Sequence, residues 1–300
     1  MLLFSVISPQ HHLSIYSMLP ATTSIYQVTL RTRRLTQLTS FYQNILGLKE
    51  IRSSAEAAWL SASGQEPTQL ILVQDDTALP LNRRSPGLYH AAWLVPNRQQ
   101  LALVLQHLLQ SNYRLQGASD HLVSEALYLA DPDGNGIEIY CDRPPATWPR
   151  QNGQVQMATL ALNLPELLAE IEAETPWQGL APETKIGHIH LQVSALEPAK
   201  AFYVDLLGFA IMQSTYPGAL FIAANGYHHH IGLNTWHSQL SAPAPPNQSG
   251  LVNFTIHVPD ADYFTALQQQ LRTAGLSLEV LNEKSFSFRD PDNLQVIIQG

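Results

Sequence analysis

Cysteine, charge and basic clusters are scarce in this sequence of 300 residues. Cys141 is its one cysteine, so no disulfide can form within one chain, which suits a reducing cytoplasm. Charged residues make up 13%, the formal net charge is -8, and no basic run occurs, so nucleic acids and anionic membranes are poor partners. No stretch approaches the roughly 18 apolar residues of a transmembrane helix. We therefore expect a cytoplasmic protein with no membrane span.

Residues 1–23 lack the features of a signal peptide. Such a peptide has a basic start, an uninterrupted apolar core and a cleavage site of small residues. No Lys or Arg precedes Arg31, and the sequence PQHH at 9–12 interrupts the apolar residues. We interpret the segment as a dispensable extension, with Met18 as the candidate start of translation.

An internal repeat is the strongest organisational signal in the chain. FYQNILGL at 41–48 recurs as FYVDLLGF at 202–209, and DPDGNGIEI from Asp131 recurs as DPDNLQVII from Asp290. Around these motifs, alternating segments rich in β-branched residues indicate strands, and apolar residues at helical spacing indicate helices. The pattern predicts two halves, each with two units of one strand, one helix and further strands.

The stretch from His121 to Tyr140 combines several residue types that carry chemistry. It contains a strand-like run, the turn DPDGNG and a second strand, IEIY. In IEIY, Glu138 and Tyr140 share one face. A carboxylate in the middle of an apolar strand belongs to a solvated rim, a salt bridge or a metal site, and the strand by itself leaves these alternatives open.

The repeated units, the FY-x-x-x-LGF/L signature and the DPDGNxIEIY ending resemble the vicinal oxygen chelate superfamily, which includes glyoxalases, bleomycin resistance proteins and extradiol dioxygenases. LYHAAWLVP and GYHHHIGLNTW are similar to the catechol 2,3-dioxygenase branch of the bacillus type. The resemblance implies an α+β fold of four βαβββ modules in two tandem glyoxalase-like domains with curled mixed sheets. The expected domains are 24–142 and 184–299, joined by a linker, 143–183, with a short helix.

The resemblance also implies a divalent iron held by two histidines and one glutamate, which leaves positions for a catecholate and dioxygen. Extradiol enzymes usually build this set within the second domain. Here that domain offers His188, but Asn253 and Gln295 stand where we expect the other two ligands. A complete set within the second domain is therefore excluded.

The two middle units complement each other. The second unit supplies His90 and Glu138, the third supplies His188, and the first unit has Gln27 at the corresponding first-strand position. The resemblance therefore implies an Fe(II) site shared between the halves, with Mn, Ni or Zn as alternative metals. His190 points to the same face as His188 by strand parity and is a competing ligand.

Three further residues are candidate catalytic groups by the same resemblance. GYHHHIGL is similar to the family segment whose histidine acts as acid–base catalyst, and alignment on IGL favours His229, with His228 and His230 one residue off. His121 and Tyr128 fall where the family has a His and a Tyr facing the substrate, at a spacing about two residues shorter. A histidine is suited to this work because its pKa lies near the working pH.

The implied function is an enzyme, an extradiol ring-cleavage dioxygenase that acts on a small aromatic diol and dioxygen. One alternative is a glyoxalase-like lyase or isomerase that uses Gln27, His90 and Glu138 within the first domain. Another is a non-catalytic small-molecule binding protein of the resistance type. The sequence leaves open the diol, the ring bond that is cleaved, and the oligomeric state, a homo-oligomer included.

Overall fold

A computed structural model describes residues 18–172 and 174–300 of the chain. The first 17 residues of the expected extension lie outside these ranges. Within the described part of that extension, Leu19 is buried and its amide donates a hydrogen bond to the carbonyl of Gly208 at 3.1 Å. Residues at this end therefore pack against the second half, and the domain limits stay a prediction.

Four βαβββ units follow one another. The first comprises β1 (Ser24–Thr32), α1 (Leu35–Asn44), β2 (Lys49–Ser53), β3 (Ala57–Ser61) and β4 (Leu70–Gln74). The second comprises β5 (Gly87–Leu94), α2 (Arg98–Gln110), β6 (Gly117–Asp120), β7 (Ser124–Ala130) and β8 (Gly136–Asp142). The connection between the halves contains a 3-10 helix (Pro145–Thr147), β9 (Arg150–Gln151), β10 (Gln154–Val155), β11 (Leu160–Ala161) and α3 (Leu164–Leu168).

The second half repeats the arrangement. The third unit comprises β12 (Lys185–Gln192), α4 (Leu196–Lys200), a π-helical turn (Ala201–Leu206), β13 (Ala210–Gln213), β14 (Ala219–Ala223) and β15 (Ile231–Asn234). The fourth comprises β16 (Gly250–His257), α5 (Ala261–Thr273), β17 (Glu279–Asn282), β18 (Ser285–Arg289) and β19 (Gln295–Gln299). None of the helices in the described ranges has the length and apolar character needed to cross a bilayer.

Two large mixed sheets unite the described strands of the four units, and each takes strands from both halves, while β9 and β10 of the connection form a separate two-stranded sheet. The middle sheet has the order β11-β6-β7-β8-β5-β12-β15-β14-β13, and the outer sheet has the order β17-β18-β19-β16-β1-β4-β3-β2. Antiparallel pairing of β5 with β12 and of β1 with β16 joins the halves. The first and last strands of each unit are parallel neighbours. The predicted α+β class with tandem glyoxalase-like domains is confirmed.

A buried hydrogen bond explains why both repeated motifs occur together. The hydroxyl of Tyr42 donates to Asp131 at 3.0 Å, and that of Tyr203 donates to Asp290 at 2.8 Å. Both tyrosines come from the FY motif, and both aspartates open the DPD turn of the next unit. Burial and the adjacent carboxylate raise the pKa of each tyrosine well above its usual value, so each stays a donor.

The expectation that Gln295 stands at the position of Glu138 is wrong. Gln295 pairs with Asn253 across β16 and β19, and in the second unit the first-strand histidine pairs with Gly136 in the same way. The two DPD turns are therefore equally long, and the counterpart of Glu138 is Ile297. The fourth unit still has no carboxylate at this position.

Candidate metal centre

Three adjacent strands in the centre of the middle sheet carry the predicted ligands. β5 carries His90, β8 carries Glu138 and β12 carries His188. Ala92 on β5 is directly opposite Glu138 on one side and His188 on the other. Residues opposite each other in a sheet point to one face, which His90 shares because it is two residues from Ala92. The small alanine side chain leaves open the space between the three larger groups.

The three polar groups converge on one point. The Nε2 atoms of His90 and His188 lie 3.0 and 3.2 Å from the same carboxylate oxygen of Glu138. One ligand atom from each residue lies within 4.8 Å of the other two, and all three side chains are buried. His90 Nε2 makes no hydrogen bond with acceptable geometry despite this proximity. A buried set of two imidazoles and one carboxylate with a free nitrogen fits a divalent metal ion.

The charge state of the cluster also suits a metal. Burial lowers the pKa of His188 to about 4, although Glu138 offsets part of the effect. Burial alone would raise the pKa of Glu138, but the charge and hydrogen bond of His188, together with the adjacent His90 ring, hold it well below its usual value. At neutral pH the carboxylate is therefore ionised and the His188 imidazole is neutral, which are the forms that bind metals. The role of all three as ligands stays a prediction.

His190, the competing ligand, lies beside the cluster and outside it. It pairs with His90 across the strands, and its ring centroid lies 4.9 Å from that of His90. Its ring also contacts Tyr89 and Trp236. A Cβ on Gly232 would come within 2.8 Å of the His190 ring, which explains the glycine of the IGL motif. Among the described residues, the group with metal-binding spacing contains His188 and excludes His190.

A cavity of about 800 Å³ extends over the cluster. Its lining includes His90, Glu138, His190, His229, His121, Tyr128, Leu88, Leu129, Ile137, Met157, Tyr216, Phe221 and Trp236. Aromatic and aliphatic side chains supply much of the wall, and polar side chains, Arg83, Arg84 and Gln192 among them, line other parts of it. This composition is typical of a site for a small ligand with apolar and polar parts.

His121 and Tyr128 form a hydrogen-bonded pair in the cavity wall. His121 Nδ1 lies 2.6 Å from the carbonyl of Ala158, so this nitrogen carries the hydrogen. Its Nε2 therefore accepts a hydrogen bond from the Tyr128 hydroxyl at 2.6 Å. Burial and the charge of Glu138, which is opposite Tyr128 across β7 and β8, raise the pKa of Tyr128 well above its usual value. Tyr128 is a neutral donor beside the cluster.

Of the three consecutive histidines, His229 lines the cavity. Its ring centroid lies 4.0 Å from that of His188. Burial and the neighbouring histidines lower the pKa of His229 well below its usual value, so the ring is neutral. His228 is fully buried behind it, and His230 Nδ1 accepts the backbone amide of Ala224. The structure thus brings all six residues predicted from the sequence to one region.

Gln27 does not join this group. It lies on β1 in the outer sheet, and its side-chain amide donates to the carbonyl of Thr68 at 3.0 Å. It is absent from the cavity lining, whereas His90 and Glu138 are part of it. The alternative set of Gln27, His90 and Glu138 is therefore not assembled, because first and second units enter different sheets.

Sequence reasoning missed residues that support the site from behind. Tyr140 was visible on the same face as Glu138, and its ring centroid lies 4.8 Å from that of His188. A Cβ on Gly187 would come within 1.8 Å of the Tyr140 hydroxyl, so the residue before His188 has to be glycine. Asp142, which bonds to His228, gave no signal in the sequence.

Comparison with known proteins agrees with this fold. Residues 24–139 and 185–298 match the Glyoxalase/Bleomycin resistance protein/Dioxygenase superfamily. The chain is 43% identical to catechol-2,3-dioxygenase of Bacillus subtilis (strain 168) over 273 residues, which cover 90% of this chain and 94% of the relative.

Solved structures with low sequence identity share the fold. The cppA protein of Streptococcus pneumoniae TIGR4 superposes with a TM-score of 0.58 at 13% identity, covering 92% of this chain and 99% of the other. Glyoxalase I of Zea mays superposes with a TM-score of 0.56 at 15% identity, covering 93% and 92%. The matched ranges and the 43% identity to the Bacillus subtilis relative show that the chain belongs to the Glyoxalase/Bleomycin resistance protein/Dioxygenase superfamily.

Proposed function

We propose that the protein is a cytoplasmic extradiol ring-cleavage dioxygenase that inserts dioxygen into a catechol-like aromatic diol at a non-haem Fe(II) site. The observation that carries the proposal is the buried cluster of His90, Glu138 and His188 beneath a cavity with aromatic walls. The 43% identity to a relative named catechol-2,3-dioxygenase supports the same reaction. Mn, Ni and Zn are the alternative metals.

His90, Glu138 and His188 would hold the metal, which supplies the redox chemistry of oxygen insertion and acidifies the bound diol. The single carboxylate gives the site one negative charge. Both ring nitrogens that face Glu138 come from neighbouring strands, so the sheet fixes their separation without help from loops. These three ligands would occupy one side of the metal ion and leave the side that faces the cavity free for substrate.

His229 is placed to accept the proton that a catechol must lose, although burial lowers its pKa and makes it a weaker base than a free imidazole. Its ring is neutral, lines the cavity and contacts His188, so a base is available at the metal cluster. The same ring can return the proton when the product oxygen needs it.

Tyr128 and His121 supply the other polar contact. The Tyr128 hydroxyl has one hydrogen, now bonded to His121 Nε2, and its lone pairs can accept a hydrogen bond from a diol. The aromatic side chains of Tyr216, Phe221 and Trp236 line the cavity, where they would pack against the substrate ring and exclude water from it.

Metal analysis of anaerobically purified protein, combined with oxygen uptake over a panel of catechols, tests the proposal. We expect bound iron, consumption of oxygen with at least one catechol, and a yellow ring-opened product. Protein that holds no metal and consumes no oxygen with any catechol would refute the dioxygenase and support a binding protein. Nickel or zinc together with turnover of a thiol adduct would instead support a glyoxalase-like enzyme.

A further inference from the structure

A chain of hydrogen bonds, buried at its two histidines and partly exposed at Asp142, leads away from the cavity behind His229. Its Nδ1 lies 2.8 Å from Nδ1 of His228, and Nε2 of His228 lies 2.9 Å from Oδ1 of Asp142. Asp142 ends β8 in the second unit, and the two histidines precede β15 in the third. The chain of contacts therefore spans the two halves, as the metal cluster does.

Hydrogen-bond chemistry determines which atom donates and which accepts at each contact from Asp142 to His229. The carboxylate of Asp142 is the acceptor in its contact with His228, so His228 carries its hydrogen on Nε2 and donates it to Asp142. With that single ring hydrogen on Nε2, Nδ1 of His228 is an acceptor. The short contact to His229 then requires that His229 carry its hydrogen on Nδ1. Nε2 of His229 is left with a bare lone pair.

Packing keeps both supporting groups in place. The His228 ring is fully buried, packs against Tyr227 at a tilt of 34° with ring centroids 4.1 Å apart, and meets Trp148 edge-on at 5.2 Å. Two distances, 3.0 and 3.2 Å, join the Tyr227 hydroxyl to the two carboxylate oxygens of Asp142. The packing of His228 against two aromatic rings and the second donor to Asp142 favour the order in which His228 donates to Asp142.

We propose that Asp142 and His228 are positioning residues that hold His229 in the tautomer with the hydrogen on Nδ1, so that Nε2 is the free base presented to the cavity. The reversed tautomer would present an N–H, which cannot take a proton from a diol. The catalytic consequence rests on the proposed function, whereas the tautomer is a property of this chain alone. The logic is that of a carboxylate that orients a catalytic imidazole, with a second imidazole inserted between them.

The tautomer can be measured without any turnover. Long-range proton–nitrogen correlation spectra of the full-length chain, with diamagnetic Zn(II) added in place of iron, distinguish protonated from bare ring nitrogens. Loss of a signal in His229→Gln assigns it. We expect a protonated Nδ1 and a bare Nε2 in wild type, and the opposite pattern in Asp142→Asn, whose amide can donate to His228. A wild-type His229 with hydrogen on Nε2 would overturn the proposal.

Kinetics provide the second readout. Asp142→Asn should lower kcat by about 10- to 100-fold with KM and iron content unchanged. His228→Asn keeps an acceptor near the Nδ1 position and His228→Leu does not, so the asparagine variant should retain more activity. Asp290→Asn, the same change at an aspartate of the fourth unit that also accepts a hydrogen bond from a tyrosine, controls for loss of a carboxylate and should keep wild-type kcat.

These outcomes test the hydrogen-bond chain of Asp142, His228 and His229, here called the relay, separately from the proposed dioxygenase function. Equal activity of the two His228 variants, or wild-type kcat in Asp142→Asn, would contradict the relay. If Asp142→Asn does not fold, the His228 pair and the wild-type spectrum decide. A wild-type spectrum with the expected tautomer in a protein that consumes no oxygen would uphold the relay and refute the dioxygenase.

Discussion

Replacing Gly187 with alanine should destabilise the protein strongly, because Tyr140 occupies the space that a side chain needs. An added Cβ would lie 1.8 Å from the Tyr140 hydroxyl, 2.8 Å from the ring carbon that carries it, and 3.0 Å from Cβ of Leu94. The hydroxyl would have to move by more than an ångström. Tyr140 is fully buried, and its hydroxyl is 2.7 Å from that of Tyr227, so this bond would break.

The expected loss of unfolding free energy follows from two terms. Overpacking of a filled core costs about 1–3 kcal/mol, and stranding a buried hydroxyl costs about 1–3 kcal/mol, so we expect a loss of about 2–6 kcal/mol. Gly117→Ala is a matched control, because nothing lies within 4 Å of an added Cβ there. That change should be neutral or stabilising by about 0.4–1 kcal/mol.

Urea unfolding of the wild type and four variants, Gly187→Ala, Tyr140→Phe, their combination and Gly117→Ala, tests the reasoning. Tyr140→Phe removes the atom of the shortest contact, so Gly187→Ala combined with Tyr140→Phe should lose less than the two single changes together, by about 1 kcal/mol or more. Since Gly187 precedes His188, Gly187→Ala should also lower iron content. Stability equal to that of Gly117→Ala, or strict additivity in the double variant, would show that the tyrosine does not exclude a side chain here.

Three further predictions concern charge and buried hydrogen bonds. Glu138→Gln and His188→Ala should each abolish iron binding and the formation of yellow product from catechol, while cooperative unfolding remains. The reason is that two ligands, or three ligands without a negative charge, bind iron weakly. A folded variant that still held iron in metal analysis would contradict this prediction. Tyr42→Phe and Tyr203→Phe should each lower the unfolding free energy by about 1–3 kcal/mol in urea, since a buried aspartate loses a donor, and unchanged midpoints would argue against the bond. Burial raises the pKa of Asp290 to about 7, so its contribution to stability is complete below the unfolded pKa, about 4, and is lost as the pH rises through about 7. Asp290→Asn should remove that fall, and parallel unfolding curves for variant and wild type across this range would contradict the assignment.

The limits of sequence reasoning here are physical. Alternation, helical spacing and turn residues act over a few positions, so the four units could be predicted. The register of β19 could not, because the turn after Asp290 closes around Asn293 in a left-handed conformation and keeps the length of the turn after Asp131. The chemical similarity of Gln295 to Glu138 does not identify the register of β19 while the pairing of that strand is unknown.

The three consecutive histidines illustrate the same limit. His228 and His229 lie outside the regular strands, so neither period 2 nor period 3.6 decides which ring faces the cavity. Their surroundings come from Tyr227 beside them and Asp142 on another unit. Only tertiary packing could distinguish the ring in the cavity from the ring behind it.

The order of strands in the two sheets has a consequence for synthesis on the ribosome. All strands of the middle sheet lie between Gly87 and Asn234, so a growing chain can complete that sheet before the fourth unit exists. The outer sheet cannot close in the same way, because β1 must wait for β16. At about 5–20 residues per second the wait is roughly 10–45 s, with one edge of the first unit open to wrong partners. The sheet that carries the metal cluster can thus form early in synthesis. The unit that is made first is the one most exposed to aggregation.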